Sequence, residues 1–437
     1  MMSTTPTQPH ALHSHIQAAE VALAADVWPN QEAIYHTVFE RVLNAFIRHK
    51  VGEEHFLSVT GYGHDDLGRE TCDAVFADAL QAEAAMVRLQ MVSGTHALAI
   101  GLNGCLRPGQ TMLSITGRPY DTLEEVIGLR GNSPHSLAAK GIHYTEISIF
   151  EPGSSAETDA QANGRVSVRE TFTPEESEAI GQADLVFIQR SRGYSQRPSL
   201  TIAQLKALIG EVKRINPAIT VMVDNCYGEF TEAQEPPSVG ADLIAGSLIK
   251  NPGGGIVPTG GYVAGRQDLV DACADYMTCP GVGSEGGYTF NLTRVMLQGL
   301  YLAPGVVKEA LKGMALAAKL FEDAGYETTP HWQDTRSDII QILTLRDPEK
   351  QVKFCQILQS LSPINSHITP IPAKPPGYQD EVVMAGGTFI DGSTLELSAD
   401  GPLRPPYAVY LQGGLTYAHT RLAMAHILGT LGKAESN

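Results

Sequence analysis

A mostly parallel α/β sheet with helices on both faces, followed by a smaller C-terminal α/β domain, is the architecture this sequence predicts. Three observations predict it. Short runs of branched apolar residues recur at strand length through the first two thirds of the chain. Helix-period segments alternate with them, the rhythm of a sheet covered on both faces. Past about residue 305 the texture becomes less regular, and a Pro-rich stretch, "HITPIPAKPPGYQD", intervenes.

The elements follow in order. The first dozen residues read as a loose tail. From Ile16 to about Lys50 apolar residues recur at helical spacing, as in "YHTVFERVLNAFIRHK". "SVTGYGHDDLGRET" is a glycine-punctuated loop, and "CDAVFADALQAEAAMVR" reads as a helix. "AAMVRLQMVS" leads into a helix from Thr95. "TMLSITG", "IHYTEISIF", "ADLVFIQRS", "TVMVDNCYG" and "ADLIAGSLIK" are all of strand length. "SLTIAQLKALIGEVKRINP" is a helix opened by Ser199 and Thr201 and stopped by Pro217. The divisions are residues 1–60 as tail and helical arm, 61–304 as a large domain, and 305–437 as a small one.

Bulk properties narrow the function classes. The chain has 437 residues, 43% of them hydrophobic and 18% charged, enough for a sizeable buried core. Its formal charge of -17 argues against a nucleic-acid or anionic-membrane surface. Six scattered cysteines with no CxxC pair fit a reducing compartment. The N-terminus lacks a basic-then-apolar signal pattern and no window is apolar enough to span a membrane, so the expected location is the cytoplasm. The 14 histidines form no HExxH-like pattern, and no metal site is expected.

Chemistry concentrates just after the predicted strands, where open parallel sheets bind ligands. "MVSGTHALA" puts Ser93, Gly94 and Thr95 at the mouth of a helix, whose free N–H groups cradle phosphate. "VMVDNCYGE" puts Asp224 directly after an apolar strand. "GSLIKNPGGG" puts Ser247 and Lys250 after the next one, against three consecutive glycines. Singly, these are a helix cap, a turn former and a surface lysine. Together they are what pyridoxal 5'-phosphate requires: an amine for its aldehyde, donors for its phosphate and a carboxylate for its ring nitrogen. Burial is expected to lower the Lys250 pKa and free the amine as nucleophile and base. Cys226 and His96, which flank these groups, read as packing or hydrogen-bonding residues.

"GYGHDDLGRE", "VSGTHALAIGLNGCLRPGQTMLSITGRPYDTLEEVIG", "VDNCYGEF", "GADLIAGSLIKNPGGGIVPTGGYVAGR" and "LELSADGPLRPPY" resemble stretches of a fold-type I pyridoxal-phosphate enzyme. More narrowly, the chain resembles the methionine gamma-lyase-like or aluminium-resistance branch, relatives of the cystathionine and methionine lyases. The resemblance makes Lys250 the Schiff-base lysine and Asp224 the partner of the ring nitrogen. It puts Ser93, Gly94, Thr95 and Ser247 on the phosphate and stacks Tyr120 over the ring. Tyr62 would reach the phosphate of a neighbouring subunit, implying a homodimer or homotetramer with shared sites. Two departures stand out. His64 replaces the arginine two positions after that tyrosine, with Arg69 a candidate substitute. Glu396 replaces the arginine that holds the substrate carboxylate, leaving Arg404 as the clamp and Arg192 as its rival. Glu396 would then orient that guanidinium or read the substrate side chain.

The implied activity is elimination of a γ or β substituent from a small amino acid, giving a 2-oxo acid and ammonia or an unsaturated amino acid. Lys250 would remove the α proton, and Tyr120 would protonate the leaving group. Replacement at the γ carbon, retro-aldol cleavage, and cofactor binding with little catalysis stay open on the same motifs. A nucleotide-binding reading of "PGGGIVPTGG" lacks the P-loop pattern and leaves Asp224 unexplained.

Overall fold

The computed structural model describes residues 9–57, 59–150, 166–374 and 380–434. They form two compact units, one of residues up to His36 with those from Gly305 onward, the other Thr37–Pro304. The expected loose tail lies outside the described residues as far as position 8, and from Pro9 the chain is helical. The glycine-punctuated loop and the Pro-rich stretch also fall partly outside, at Ser58 and at 375–379.

Helices α1 (Pro9–Asp26) and α2 (Trp28–Arg48) replace the single helix expected from Ile16 to Lys50. The break falls at Val27 because Pro29 has no N–H to give and is tolerated only in the first turn of a helix. On α1, Ile16, Ala19 and Leu23 enter one core with Leu316, Leu320 and Phe321, so this helix belongs to the C-terminal unit.

The unit Thr37–Pro304 is built on seven strands. They are β1 (Ala84–Arg88), β2 (Thr111–Ser114), β3 (His143–Glu146), β4 (Leu185–Gln189), β5 (Thr220–Asp224), β6 (Leu243–Ser247) and β7 (Gly261–Gly265). Their order is β1-β7-β6-β5-β4-β2-β3. The pairs from β3 to β6 are parallel, and β7 is antiparallel to both its neighbours. Strand β7 was not expected, because a glycine at each end makes "GYVAG" read as turn. Those glycines are required: a Cβ at Gly265 would collide with the Asp242 carbonyl. Strands β4 and β6 are buried throughout, as both-sided cover demands.

Helix α3 (Leu67–Ala79) starts ahead of the expected Cys72, because Asp66 caps it by accepting from the Arg69 N–H at 3.0 Å. It ends at Ala79, and the residues expected to extend it pass to β1. On one face of the sheet, α4 (Gly94–Cys105) packs on β6 and on α8 (Gln267–Met277). Ala97, Leu98 and Ile100 of α4 share a core with Met222, Leu243 and Val263 of the strands. Helices α5 (Asp121–Ile127) and α6 (Pro174–Gln182) follow β2 and precede β4, and α7 (Ile202–Ile215) buries Leu205, Leu208, Ile209 and Val212 at helical spacing. The start of α7 is a reciprocal cap in which Thr201 Oγ1 accepts from the Gln204 N–H and Gln204 Oε1 from the Thr201 N–H. Ser199, also expected there, accepts instead from Arg192 Nε at 3.3 Å.

Helix α9 (Thr293–Asp323) runs from one unit into the other, with Pro304 inside it. The C-terminal unit then holds an antiparallel sheet of β8 (Glu327–Thr329), β9 (Ile340–Thr344), β10 (Val382–Ala385), β11 (Ser398–Pro402) and β12 (Ala408–Gln412). Helices α10 (Pro348–Ser360) and α11 (Tyr417–Leu431) cover it, joining Phe354 and Ile427 to the same core as Val409 and Leu411. Among the described residues, no helix is long and apolar enough to cross a membrane.

The cap of α7 makes a direct test of how this unit is closed. Thr201→Ala is expected to lower stability by about 1 kcal/mol in urea unfolding, while Thr201→Ser keeps most of it. Equal loss in both variants would assign the effect to packing of the threonine methyl.

Candidate active site

Register gathers the site. In the parallel pair β4–β5, Gln189 lies opposite Asp224, so two polar residues end adjacent strands at one edge. Strand β1 is antiparallel to β7, and β7 to β6, so β1 and β6 point the same way and both deliver loops to that edge. Ser93 follows β1, Asp224 ends β5 and Ser247 ends β6.

Gly94 marks where these pieces converge. A Cβ there would sit 3.2 Å from Cys226 Sγ, 3.5 Å from Ser247 Cβ and 3.9 Å from Lys250 Cε. Beside it Ser93 caps α4 by accepting from the His96 N–H at 3.1 Å, and His96 Nδ1 accepts from the Val92 N–H at 3.2 Å. Residues 93–96 are only half-buried, so the mouth of α4 stays accessible. Thr95 Oγ1 shares hydrogen bonds of 3.0 Å with both the Tyr120 hydroxyl and Thr122 Oγ1. The Tyr120 backbone N–H donates to Gln189 Oε1 at 3.1 Å, fixing that tyrosine from the end of β4.

Asp224 is 5% exposed and makes no ion pair among the described residues. Its Oδ1 accepts the Cys226 N–H at 3.1 Å. Burial raises its carboxyl to about 6, against the opposing pull of the Cys226 donors, Lys250 and Arg197. Burial likewise pushes the Tyr120 phenol and the Cys226 thiol well up, keeping both protonated. Lys250 Nζ lies 3.9 Å from the centroid of the Tyr227 ring. Burial opposes the charge on this lysine, as the sequence reading expected. Tyr227, Cys226 and Glu229 outweigh it, and the amine is held above the ordinary lysine value rather than below it. That corrects the expectation: the neighbours of Lys250 outweigh the effect of burial.

The glycines after Lys250 are explained by close packing. A Cβ at Gly253 would overlap the Leu248 carbonyl, and one at Gly254 the Gly299 carbonyl of α9. Gly254 also has φ of +59°, which a side chain resists. The turn is sewn to the β5 loop by Asn251, whose Nδ2 donates to the Tyr227 and Glu229 carbonyls at 3.0 and 2.9 Å.

Tyr62 is 83% exposed and stacks on His64. Arg69 is 1% exposed, and its Nη1 donates to the Gly63 carbonyl at 2.6 Å. Arg192 is buried against Ser199. Arg404 is exposed in the C-terminal unit and pairs with Asp380 at 2.9 Å. Glu396 is not free to orient Arg404 or read a substrate: its carboxylate accepts the Phe389 and Ile390 N–H groups at 2.8 and 2.9 Å.

Sequence reasoning missed Gln189, Tyr227, Glu229 and Tyr262. Glu229 is 0% exposed, and its Oε1 accepts from the Tyr262 hydroxyl at 2.8 Å while its Oε2 has no hydrogen-bond partner. Burial raises its carboxyl to about 8. A Cβ at Gly246 would fall 2.6 Å from Glu229 Oε1, so glycine there makes room for the pair. The available signal was the placement of Tyr227 and Glu229 a few residues after Asp224 in "VDNCYGEF".

Residues 13–432 match the methionine gamma-lyase family. The chain belongs to that family. A Bacillus subtilis (strain 168) relative, the uncharacterized protein YnbB, is 48% identical over 90% of each chain. The solved structure of a carbon-sulfur lyase involved in aluminium resistance from Clostridium novyi NT is 40% identical over 99% of this chain and all of that one, with a TM-score of 0.88. A Listeria monocytogenes protein, provisionally named a cystathionine beta-lyase involved in aluminium resistance, is 44% identical over 95% and 99% of the two chains, also with a TM-score of 0.88. The fold is therefore that of fold-type I pyridoxal-phosphate enzymes, as the strand order and motifs predict.

Membership in the methionine gamma-lyase family implies pyridoxal 5'-phosphate, and the residues fit it. The absent Cβ of Gly94 opens the wall between Cys226, Ser247 and Lys250. Asp224 is a buried carboxyl without a cation, which a protonated ring nitrogen would supply. Ser93, Thr95 and the first N–H groups of α4 are the donors a phosphate needs.

Two raised carboxyls give the cofactor-free family member a defined pH response. The neutral forms of Asp224 and Glu229 are favoured in the fold, so their contribution is complete below their ordinary values near 4. It is lost as pH rises through about 6 for Asp224 and about 8 for Glu229. Asp224→Asn is expected to flatten the lower part of this decline and Glu229→Gln the upper part, each by at least about 1 kcal/mol in urea midpoints. A slope unchanged in either variant would mean that its carboxyl is ionised in the fold.

Proposed function

We propose that this protein is a pyridoxal-phosphate-dependent lyase that breaks a carbon–sulfur, or related carbon–heteroatom, bond in a β- or γ-substituted amino acid. The observation that supports it most is the convergence of Gly94, Asp224, Ser247 and Lys250 on one sheet edge. The names carried by relatives over nearly the whole chain point the same way.

When bound, pyridoxal phosphate supplies an electron sink for the α carbon of the substrate. Lys250 Nζ takes the α proton, and the electron-rich ring of Tyr227 favours the ammonium so formed. The Asp224 carboxyl, ionised above about pH 6, holds a proton on the ring nitrogen. A γ substituent departs only after a β proton is lost as well, and Tyr120, kept protonated by burial and oriented by Thr95 and Gln189, delivers a proton to the departing sulfur and regains one from solvent. Water then releases ammonia and a 2-oxo acid. Ser93, Thr95 and Ser247 anchor the phosphate, and Arg404 takes the substrate carboxylate. The chain works as a homodimer or homotetramer, with the exposed Tyr62 completing the phosphate site of another copy.

Borohydride reduction of the protein with pyridoxal phosphate should leave the label on the Lys250 peptide, and a label confined to another lysine would overturn the reading. A panel of β- and γ-thio-substituted amino acids should release thiol and 2-oxo acid, with Lys250→Ala slower by about 10²–10⁴-fold. Cofactor capture without product from any member would leave a binding protein instead.

Arg404→Ala should raise KM by about 10–10²-fold at unchanged cofactor absorbance, whereas that effect in Arg192→Ala alone would move the clamp to the large unit. Sedimentation of the loaded protein as a monomer would remove the role given to Tyr62.

A further inference from the structure

We infer that Tyr227 is a positioning residue whose ring receives the Lys250 amine in its charged form and so controls when that amine is available to a carbonyl. The inference deepens the proposed function, on which it rests for the identity of the carbonyl compound.

The backbone carries the first part of the argument. Tyr227 has φ of +71°, and Phe230, three residues on, has φ of +63°. Left-handed backbone is costly for any residue with a Cβ, and aromatic residues gain nothing there. Such strain persists only where the surroundings over-determine it. Here they do. Arg190, fully buried, donates to Asn225 Oδ1 at 2.8 Å and to the Gly228 carbonyl at 2.9 Å. The Phe230 N–H is held by Glu235 Oε1 at 2.8 Å, and the Gly228 N–H by the Asn225 carbonyl at 2.9 Å. Asn251 then clamps the carbonyls of Tyr227 and Glu229 from the residue next to Lys250. The strained turn and the lysine turn are thus one rigid piece.

What the strain achieves is placement. It brings the face of the Tyr227 ring to 3.9 Å from Lys250 Nζ, well inside the range of a cation–π contact. The negative face of the ring attracts an ammonium and does little for a neutral amine. The titratable groups facing Lys250 from the β5 loop are Asp224, Cys226, Tyr227 and Glu229, and from α4 the neutral Gly94 backs it. Asp224 accepts the Cys226 N–H and Glu229 Oε1 the Tyr262 hydroxyl, and both act on Lys250 through space. Tyr227 meets the Lys250 amine directly, through its ring face and through a hydroxyl hydrogen bond, and both contacts separate the charged from the neutral state. There are two consequences. The free protein holds Lys250 as an ammonium, slowing its condensation with an aldehyde. During turnover the same contact favours the lysine after it has accepted a proton.

Condensation gives a reading that requires no turnover: an amine attacks the aldehyde carbon, and the oxygen leaves as water, after the ammonium has lost its proton to solvent. Cofactor-free protein is mixed with pyridoxal phosphate at pH 7, quenched with borohydride at intervals, and the modified Lys250 peptide is quantified by mass spectrometry. Tyr227→Leu, which removes the ring, should be modified about 10-fold faster than the native protein. Tyr227→Phe, which keeps the ring face and loses the hydroxyl hydrogen bond, should fall between the native protein and the ring-free variants. Tyr227→Met serves in place of the leucine variant if thermal melting shows that Tyr227→Leu does not fold. Ring-free variants no faster than Tyr227→Phe would overturn the inference, as would a Tyr227→Phe variant as fast as the ring-free ones. Failure of the native protein to modify any lysine would instead sink the proposed function and leave the contact between Tyr227 and Lys250 without this role.

Discussion

A carboxyl buried at the end of β5, with no ion pair among the described residues, is the constraint around which this site is organised. Asp224 ends the central strand of a mostly parallel sheet and is 5% exposed. Burying an unpaired charge is among the most expensive choices a fold makes. The surroundings soften it without removing it: a backbone N–H from Cys226 and more distant fields from Lys250 and Arg197 leave the carboxyl near 6. A site with that residual cost is one prepared for a ligand that brings positive charge. The register that pairs Gln189 with Asp224 extends the same preparation sideways, since Gln189 fixes the backbone of Tyr120.

Rigidity around Lys250 has a separate origin. The triple glycine is where the chain passes so close to the Leu248 and Gly299 carbonyls that no side chain fits. Asn251 ties this turn to the β5 loop, and Arg190 ties that loop to the end of β4. Buried side chains with several donors replace secondary structure as the scaffold at this edge, holding the reacting groups in place before any ligand arrives. Glu229 and Tyr262 lie behind them as a second buried carboxyl, whose room depends on the missing side chain at Gly246.

Much of this was readable from local pattern. Apolar runs of strand length identify β2, β4, β5 and β6, and helical periodicity identifies α7 between β4 and β5, because a strand covered on both faces has no polar alternation to disguise it. Glycines concealed β7, and Pro29 divided a helix that periodicity alone would leave whole. At the site, residues directly after strands stood out: Ser93, Asp224, Ser247 and Lys250. Gln189, Tyr227 and Glu229 did not, since their importance comes from what they face across the sheet edge and not from their neighbours in the chain.

The sequence by itself determined the alternation of strands and helices, the family and the groups that follow the strands, because each depends on local periodicity or contiguous motif. Tertiary structure alone decided their electrostatics. It turned Lys250 from an amine expected to be lowered by burial into one held high by its neighbours Tyr227, Cys226 and Glu229. It also committed Arg69 and Glu396 to backbone partners. The physical reason is that charge states and hydrogen-bond commitments are set by through-space distances of a few ångströms, between residues whose separation along the chain carries no record of their proximity.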